Sequence, residues 1–249
     1  MRKVILLIAL VAASSISFAQ DKLWLGDYRI GVTGGCGYVL QAPKYNLGAQ
    51  MALRESSRKP TPTVGLYLGM QKDLHKRWAW GIDENISVGK SGWMGKFTNV
   101  KYSLNLDYDV EQLMLSERLG AHIAYFTGMH TQLQVGAALY WEMYMSRNID
   151  VTVTNATSAG HNLYGPLKAP ESLSVSYNAG LDLSLGTTYY LSNNLFFRGD
   201  AHYFLPLMNS KEYFVPGFDF DNEVADMVTS LGDSRMIQVA ACITIGFLW

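Results

Sequence analysis

The stretch RMIQVAACITIGFLW, residues 235–249, decides the fold. Ile237, Val239, Ala241, Ile243, Ile245, Phe247 and Trp249 occupy one phase of a two-residue period. Gln238, Ala240, Cys242, Thr244 and Gly246 occupy the other. Successive side chains of a β-strand point to opposite faces, so this segment has one oily face and one polar, small face. A soluble sandwich would show the same alternation, but length separates the two readings. Ordinary globular strands run ~5–6 residues, whereas a tilted strand needs ~9–11 to cross a bilayer.

The pattern recurs at 173–186, where Leu173, Val175, Tyr177, Ala179, Leu181, Leu183 and Leu185 alternate with Ser174, Ser176, Asn178, Gly180, Asp182, Ser184 and Gly186. Working outward, eight such segments emerge: 28–40, 61–71, 78–89, 112–126, 132–145, 173–190, 195–207 and 235–249. Short connections (72–77, 127–131, 191–194) alternate with long ones (41–60, 90–111, 146–171, 208–234). This predicts an all-β fold, an eight-stranded antiparallel transmembrane barrel of up-and-down topology, with short turns and both chain ends in the periplasm and long loops outside. Gly, Ala and Ser on the polar phase suit the narrow interior of such a barrel. Trp78, Trp80, Tyr125, Phe126, Tyr189, Tyr190, Phe247 and Trp249 lie near the periplasmic strand ends and are expected to form an aromatic girdle. The alternation of Val100, Tyr102, Leu104, Leu106 and Tyr108 extends two strands beyond the bilayer as a hairpin. Its phase changes before Leu113, which predicts a β-bulge there.

Residues 1–19 read as an export signal: Arg2 and Lys3, an apolar run from Val4 to Ala13, and small residues at Ser17 and Ala19. Cleavage is expected after Ala19, leaving 20–249 as the barrel domain. The apolar run is too short for a ~20-residue spanning helix. The 20 basic and 21 acidic residues of the 249-residue chain give a net charge of -1. That balance offers no electrostatic basis for nucleic-acid binding. The two cysteines, Cys36 and Cys242, make no Cys/His cluster with metal spacing, so no metal or other cofactor is expected. They fall on neighbouring strands but opposite faces, which disfavours a disulfide.

The mature chain resembles the outer-membrane β-barrel families of the Bacteroidetes. The resemblance is carried by Gly81 to Trp93 with its Glu84, Ser87 and Lys90, by Ser116-Glu117-Arg118-Leu119, and by the ending Thr244 to Trp249. The second of these lacks the proline of the family's element. The resemblance implies a bacterial outer-membrane location and no catalytic residues. One branch of those families serves as accessories of a protein-secretion system.

Asp83, Arg118, His122, Glu142, Asp182, Arg198, Asp200 and His202 fall on the interior phase and carry both signs of charge. Buried charges must be paired, so they are expected to plug the barrel as an internal network rather than line a proton or ion path. Glu84 and Glu117 fall on the lipid-facing phase, where a carboxylate is costly. Either a local bulge turns each inward, toward Arg118, or a partner protein covers that wall. His122 and His202 keep open a lipid A-modifying enzyme, although no nucleophile-elbow or metal motif accompanies them.

The loops are the expected carriers of function. The first has a net charge of +3 from Lys44, Arg54, Arg58 and Lys59 against Glu55, and the last a net of -5. The two could pair with each other, or the basic loop could contact lipopolysaccharide phosphates. Asp219 to Glu223 is a weak calcium candidate, and Asn155-Ala156-Thr157 is taken as a chance glycosylation match. Phe247 and Trp249 are read as a signal for the outer-membrane assembly machinery. The expected partners are therefore outer-membrane lipid and lipopolysaccharide, that machinery, and an envelope protein.

Overall fold

The computed structural model of the chain describes residues 27–40, 45–47, 51–75, 77–99, 104–128, 130–155, 164–168, 176–191, 194–209, 228–231 and 237–249. The expected leader and the 219–223 calcium candidate lie outside these residues, as do Ala156 and Thr157. The strands are β1 (Asp27–Val39), β2 (Tyr45–Leu47), β3 (Met51–Arg58), β4 (Thr61–His75), β5 (Trp78–Asn99), β6 (Leu104–Phe126), β7 (Thr131–Asn155), β8 (Tyr164–Lys168), β9 (Ser176–Tyr190), β10 (Leu195–Asn209), β11 (Val228–Leu231) and β12 (Gln238–Leu248).

Eight of them close a ring in the order β1, β4, β5, β6, β7, β9, β10, β12 and back to β1. Every neighbouring pair is antiparallel. The seam joins the two ends of the chain, from Arg29↔Leu248 to Val39↔Gln238. Closure leaves none of the eight with an unpaired edge within the ring, which removes the template for strand addition.

The two phases of the sequence become two surfaces. On β12, Ile245, Phe247 and Trp249 are 55%, 62% and 76% exposed, while Gln238 and Thr244 are 6% and 2% exposed. The rule holds around the ring: Ile30, Val32, Leu66, Leu119, Ile123, Val135, Leu139, Leu183 and Leu185 all point outward and are exposed. Arginine, aspartate and glutamine side chains are buried instead. This inverts the packing of a soluble protein, in which large contiguous apolar patches are rare.

At the end carrying the short turns, Trp78, Tyr189, Phe247 and Trp249 face outward, and Trp78 packs on Tyr125 at 4.9 Å between ring centroids. Phe126 and Tyr190 differ from expectation. They fall on the interior phase, stack on each other at 6.3 Å, and close the floor of the barrel rather than join the girdle.

At the other end, β5, β6 and β7 are 22, 23 and 25 residues long. They run past the rim as a wall, flanked by β3 on β5 and β8 on β7. The β5–β6 register is unbroken from Trp78↔Tyr125 to Asn99↔Leu104. The bulge expected before Leu113 is therefore absent from that pairing. A register shift occurs only across β6–β7, at Leu113/Met114. The change of phase has another cause. Glu117, Leu119 and Leu113 share their outward phase with Glu111, Asp109 and Asp107, so the strand keeps its direction while its outer face passes from apolar to charged.

Two of the first loop's cations, Arg54 and Lys59, pair within this wall. Arg54 bonds Asp107 at 3.0 Å, Lys59 lies 2.6 Å from Asp109 and 3.3 Å from Glu111, and Lys96 lies 2.6 Å from Glu55. Lys90 also pairs with Glu111. The first and last long loops meet through backbone, as β2 pairs with β11.

Candidate functional site

The interior is built from short cross-strand contacts, and glycine makes the room. Gly35 lies opposite Cys242 in the β1–β12 register, and a Cβ there would sit 2.6 Å from the Cys242 sulfur. Gly81 opposite His122 and Gly186 opposite Asp200 do the same for those side chains. A bulky residue on one strand faces a glycine on the next, so a narrow barrel can hold charged side chains.

All eight predicted interior charges point inward. The central cluster is organised by Arg198. Its Nη1 donates to Asp83 Oδ2 at 2.8 Å and to the Tyr67 oxygen at 2.8 Å, and its Nε donates to Asp200 Oδ2 at 2.7 Å. Tyr67 donates to the other Asp83 oxygen at 2.6 Å, and Gln134 donates to the other Asp200 oxygen at 2.9 Å. His122 Nδ1 stands 2.7 Å from Asp83 Oδ2. Each carboxylate is thus met by a guanidinium and a neutral donor, which offsets the cost of removing it from water.

Toward the floor, Gln132 donates to Gln71 at 3.0 Å, and Tyr190 donates to Gln132 at 2.8 Å. Arg29 donates to the Tyr190 oxygen at 2.5 Å and lies over the rings of Tyr190 and Phe196. Toward the rim, Glu142 accepts from Asn178 at 3.0 Å, Tyr144 at 3.2 Å and Gln238 at 3.3 Å. Between centre and rim, Asp182 lies 2.9 Å from His202 Nδ1 and 3.7 Å from Arg118 Nη1. Arg118, Asp182, His202 and Cys242 line one internal cavity.

Glu84 and Glu117 keep their outward phase. Glu84 pairs with Leu68 and Leu119, and Glu117 with Ile86 and Trp141, with no register shift at either position. The inward-turning bulge is thereby overturned. Cys36 faces outward and Cys242 inward, and both are free thiols. Among the described residues no group of three or more His, Cys, Asp or Glu could hold a metal ion.

Sequence reading overlooked Arg29, the third interior guanidinium, although it shares its phase with Gly31, Thr33 and Gly35. It also overlooked the neutral donors Tyr67, Gln132 and Gln134 and the acceptor Gln71, which the same two-residue phase identifies.

These features define the class: a closed, eight-stranded antiparallel β-barrel with an apolar exterior and a polar, side-chain-filled interior. Two solved structures are similar to the chain. One is Ail, the attachment invasion locus protein of Yersinia pestis, at 10% identity and a TM-score of 0.42, with 90% of this chain and 99% of that one covered. The other is the outer membrane protein OprG from Pseudomonas aeruginosa, at 10% identity and a TM-score of 0.45, with 90% and 93% covered. No family model and no curated protein matches the chain.

Proposed function

We propose that this protein is a non-enzymatic integral barrel of the bacterial outer membrane, of the Bacteroidetes type, serving the envelope structurally or through its loops. The observation that carries this reading is the pairing of an exposed apolar face on every ring strand with charges held inside. Only lipid on the outside reconciles the two, because an apolar belt of this extent is unfavourable in water. The interior is filled and cross-linked by hydrogen bonds, so the barrel is a plug and not a pore. Phe247 and Trp249, exposed on the last strand beside the seam, serve as the contact for the assembly machinery.

Cell fractionation and planar-bilayer recording test the proposal together. The protein is expected in the outer-membrane fraction, and the purified barrel is expected to show no steady, large channels. Recovery from the soluble fraction, or steady large conductance, would refute it.

A second reading, an accessory of a secretion or assembly complex, is favoured by Glu117 on the outer wall of β6. A protein surface bearing a donor would relieve a carboxylate that lipid does not solvate. A photo-crosslinker at Leu119 in the native membrane is expected to capture a protein if this reading holds, and lipid alone if it does not.

A further inference from the structure

Asp182, His202 and Cys242 form a staircase across three adjacent strands. Asp182 on β9 lies opposite Phe204, and His202 is two residues along β10. His202 in turn lies opposite Ala240, and Cys242 is two residues along β12. All three share the interior phase, so the register brings them together although they span sixty positions of sequence. His202 Nδ1 is 2.9 Å from Asp182 Oδ2, and its ring lines the same cavity as the Cys242 thiol, one diagonal step away in the register. Arg118 Nη2 approaches the same sulfur at 4.0 Å. A carboxylate that orients an imidazole, which in turn meets a thiol, is the arrangement that activates a sulfur nucleophile.

Two further observations point to a small guest. Asp182 Oδ1 and Arg118 Nη1 are buried and make no hydrogen bond, and both residues line the cavity that holds the thiol. They offer one acceptor and one donor beside the sulfur. The cavity has room of only about 40 Å³, which excludes peptides and acyl chains. A molecule of two or three heavy atoms that both donates and accepts hydrogen bonds fits these constraints.

We infer that Cys242 is a peroxide-reactive thiol enclosed in the barrel, with His202 as its proton acceptor and Asp182 as the residue that positions His202. The thiol proton passes to His202 as the sulfur attacks one oxygen of hydrogen peroxide. The S–O bond forms, the O–O bond breaks, and the departing oxygen takes the proton from His202 and leaves as water. Sulfur gives up two electrons to the peroxide and becomes a sulfenic acid, which a thiol reductant reverses. Cys36 is the internal control: it is exposed on the outer face, and its sulfur meets only the Gly37 carbonyl, at 3.9 Å.

The test uses the full barrel folded in detergent micelles, with folding verified by heat-dependent migration on a gel. Cys36→Ala and Cys242→Ala variants each leave one thiol. After timed exposure to hydrogen peroxide and quenching, the protein is denatured in N-ethylmaleimide, and intact mass counts the remaining thiols. Cys242 is expected to be lost at least tenfold faster than Cys36, with recovery by dithiothreitol. Adding His202→Asn is expected to slow the loss at least tenfold while the folded band persists. Asp182→Asn provides the same readout if the histidine variant does not fold. Protection of Cys242 from peroxide, or an unchanged rate in the folded His202→Asn or Asp182→Asn protein, would overturn the proposal.

Discussion

The barrel and the wall above it are made from the same three strands, yet they use charge in opposite ways. Below the rim, β5, β6 and β7 turn apolar residues outward and hold Asp83, Arg118, His122 and Glu142 inside. Above it, the outer face carries Lys90, Lys96, Asp107, Asp109 and Glu111, with Lys59 reaching it from the connection between β3 and β4. The period does not change at the boundary; the chemistry of the outer face does. An ion pair inside the barrel has no water to fall back on, whereas one on the wall exchanges freely with it. The same Coulombic contact should therefore carry very different weight in the two regions.

Arg198→Met breaks the comparison most severely. It leaves Asp83 and Asp200 buried without their shared cation, and removing one partner of a buried pair costs about 3–5 kcal/mol. Urea unfolding of the barrel in phospholipid vesicles is expected to show a loss of that size. A loss below about 1 kcal/mol, the range of exposed pairs, would mean that water reaches the centre.

Leu183→Arg tests the outer face at mid-belt, where Leu183 lies between Ala137 and Tyr203. An arginine near the bilayer midplane costs about 2–4 kcal/mol. The penalty is expected in vesicles and should largely vanish in short-chain detergent micelles, where the head group reaches water.

The smallest effect belongs to the wall. Lys59→Met is expected to cost less than about 1 kcal/mol, and less still at high salt. Its pH dependence has a defined sign. Hydrogen bonds from Lys90 and then Lys59 hold the Glu111 carboxyl below its ordinary value of 4.5. The hydrogen bond to Asp109, followed by that to Glu111, holds the Lys59 ammonium above its ordinary 10.5. The carboxylate contribution is present above pH 4.5 and is lost as pH falls through the lowered value. The ammonium contribution is present below pH 10.5 and is lost as pH rises through the raised one. Hydrogen exchange, corrected for intrinsic rates, is expected to show the upper parts of β5 and β6 opening at both extremes while the lower barrel stays protected.

Much of this architecture is legible in the sequence because a two-residue period writes both faces into one line. The phase of Ile243, Ile245 and Phe247 against Cys242 and Thr244 is enough to assign outside and inside. It also places all eight interior charges. What the period cannot supply is register. Nothing local brings Asp182, His202 and Cys242 together, because their meeting depends on diagonal offsets between three strands. The period also misleads where the environment changes. The shift near Leu113 reads as a bulge in β6; the register does shift there across β6–β7, but β6 keeps its phase against β5 while its outer face passes from apolar to charged. Glu84 and Glu117 show the converse, as their phase is regular and only their chemistry departs from their surroundings.

The seam between β1 and β12 has a kinetic consequence. Most of the ring's pairings join strands that follow one another closely in the chain, but Arg29↔Leu248 spans nearly all of it. Long-range pairing is slow because the entropy of loop closure is spent before contacts reward it. Until that last pairing forms, Arg29 lacks its place beside Tyr190, and Glu142 lacks the donor on Gln238. A barrel that has not closed this seam is an open sheet with two bare edges and an incomplete interior. Closing the seam is the step at which edges and interior are satisfied together, which makes it the committing event of assembly.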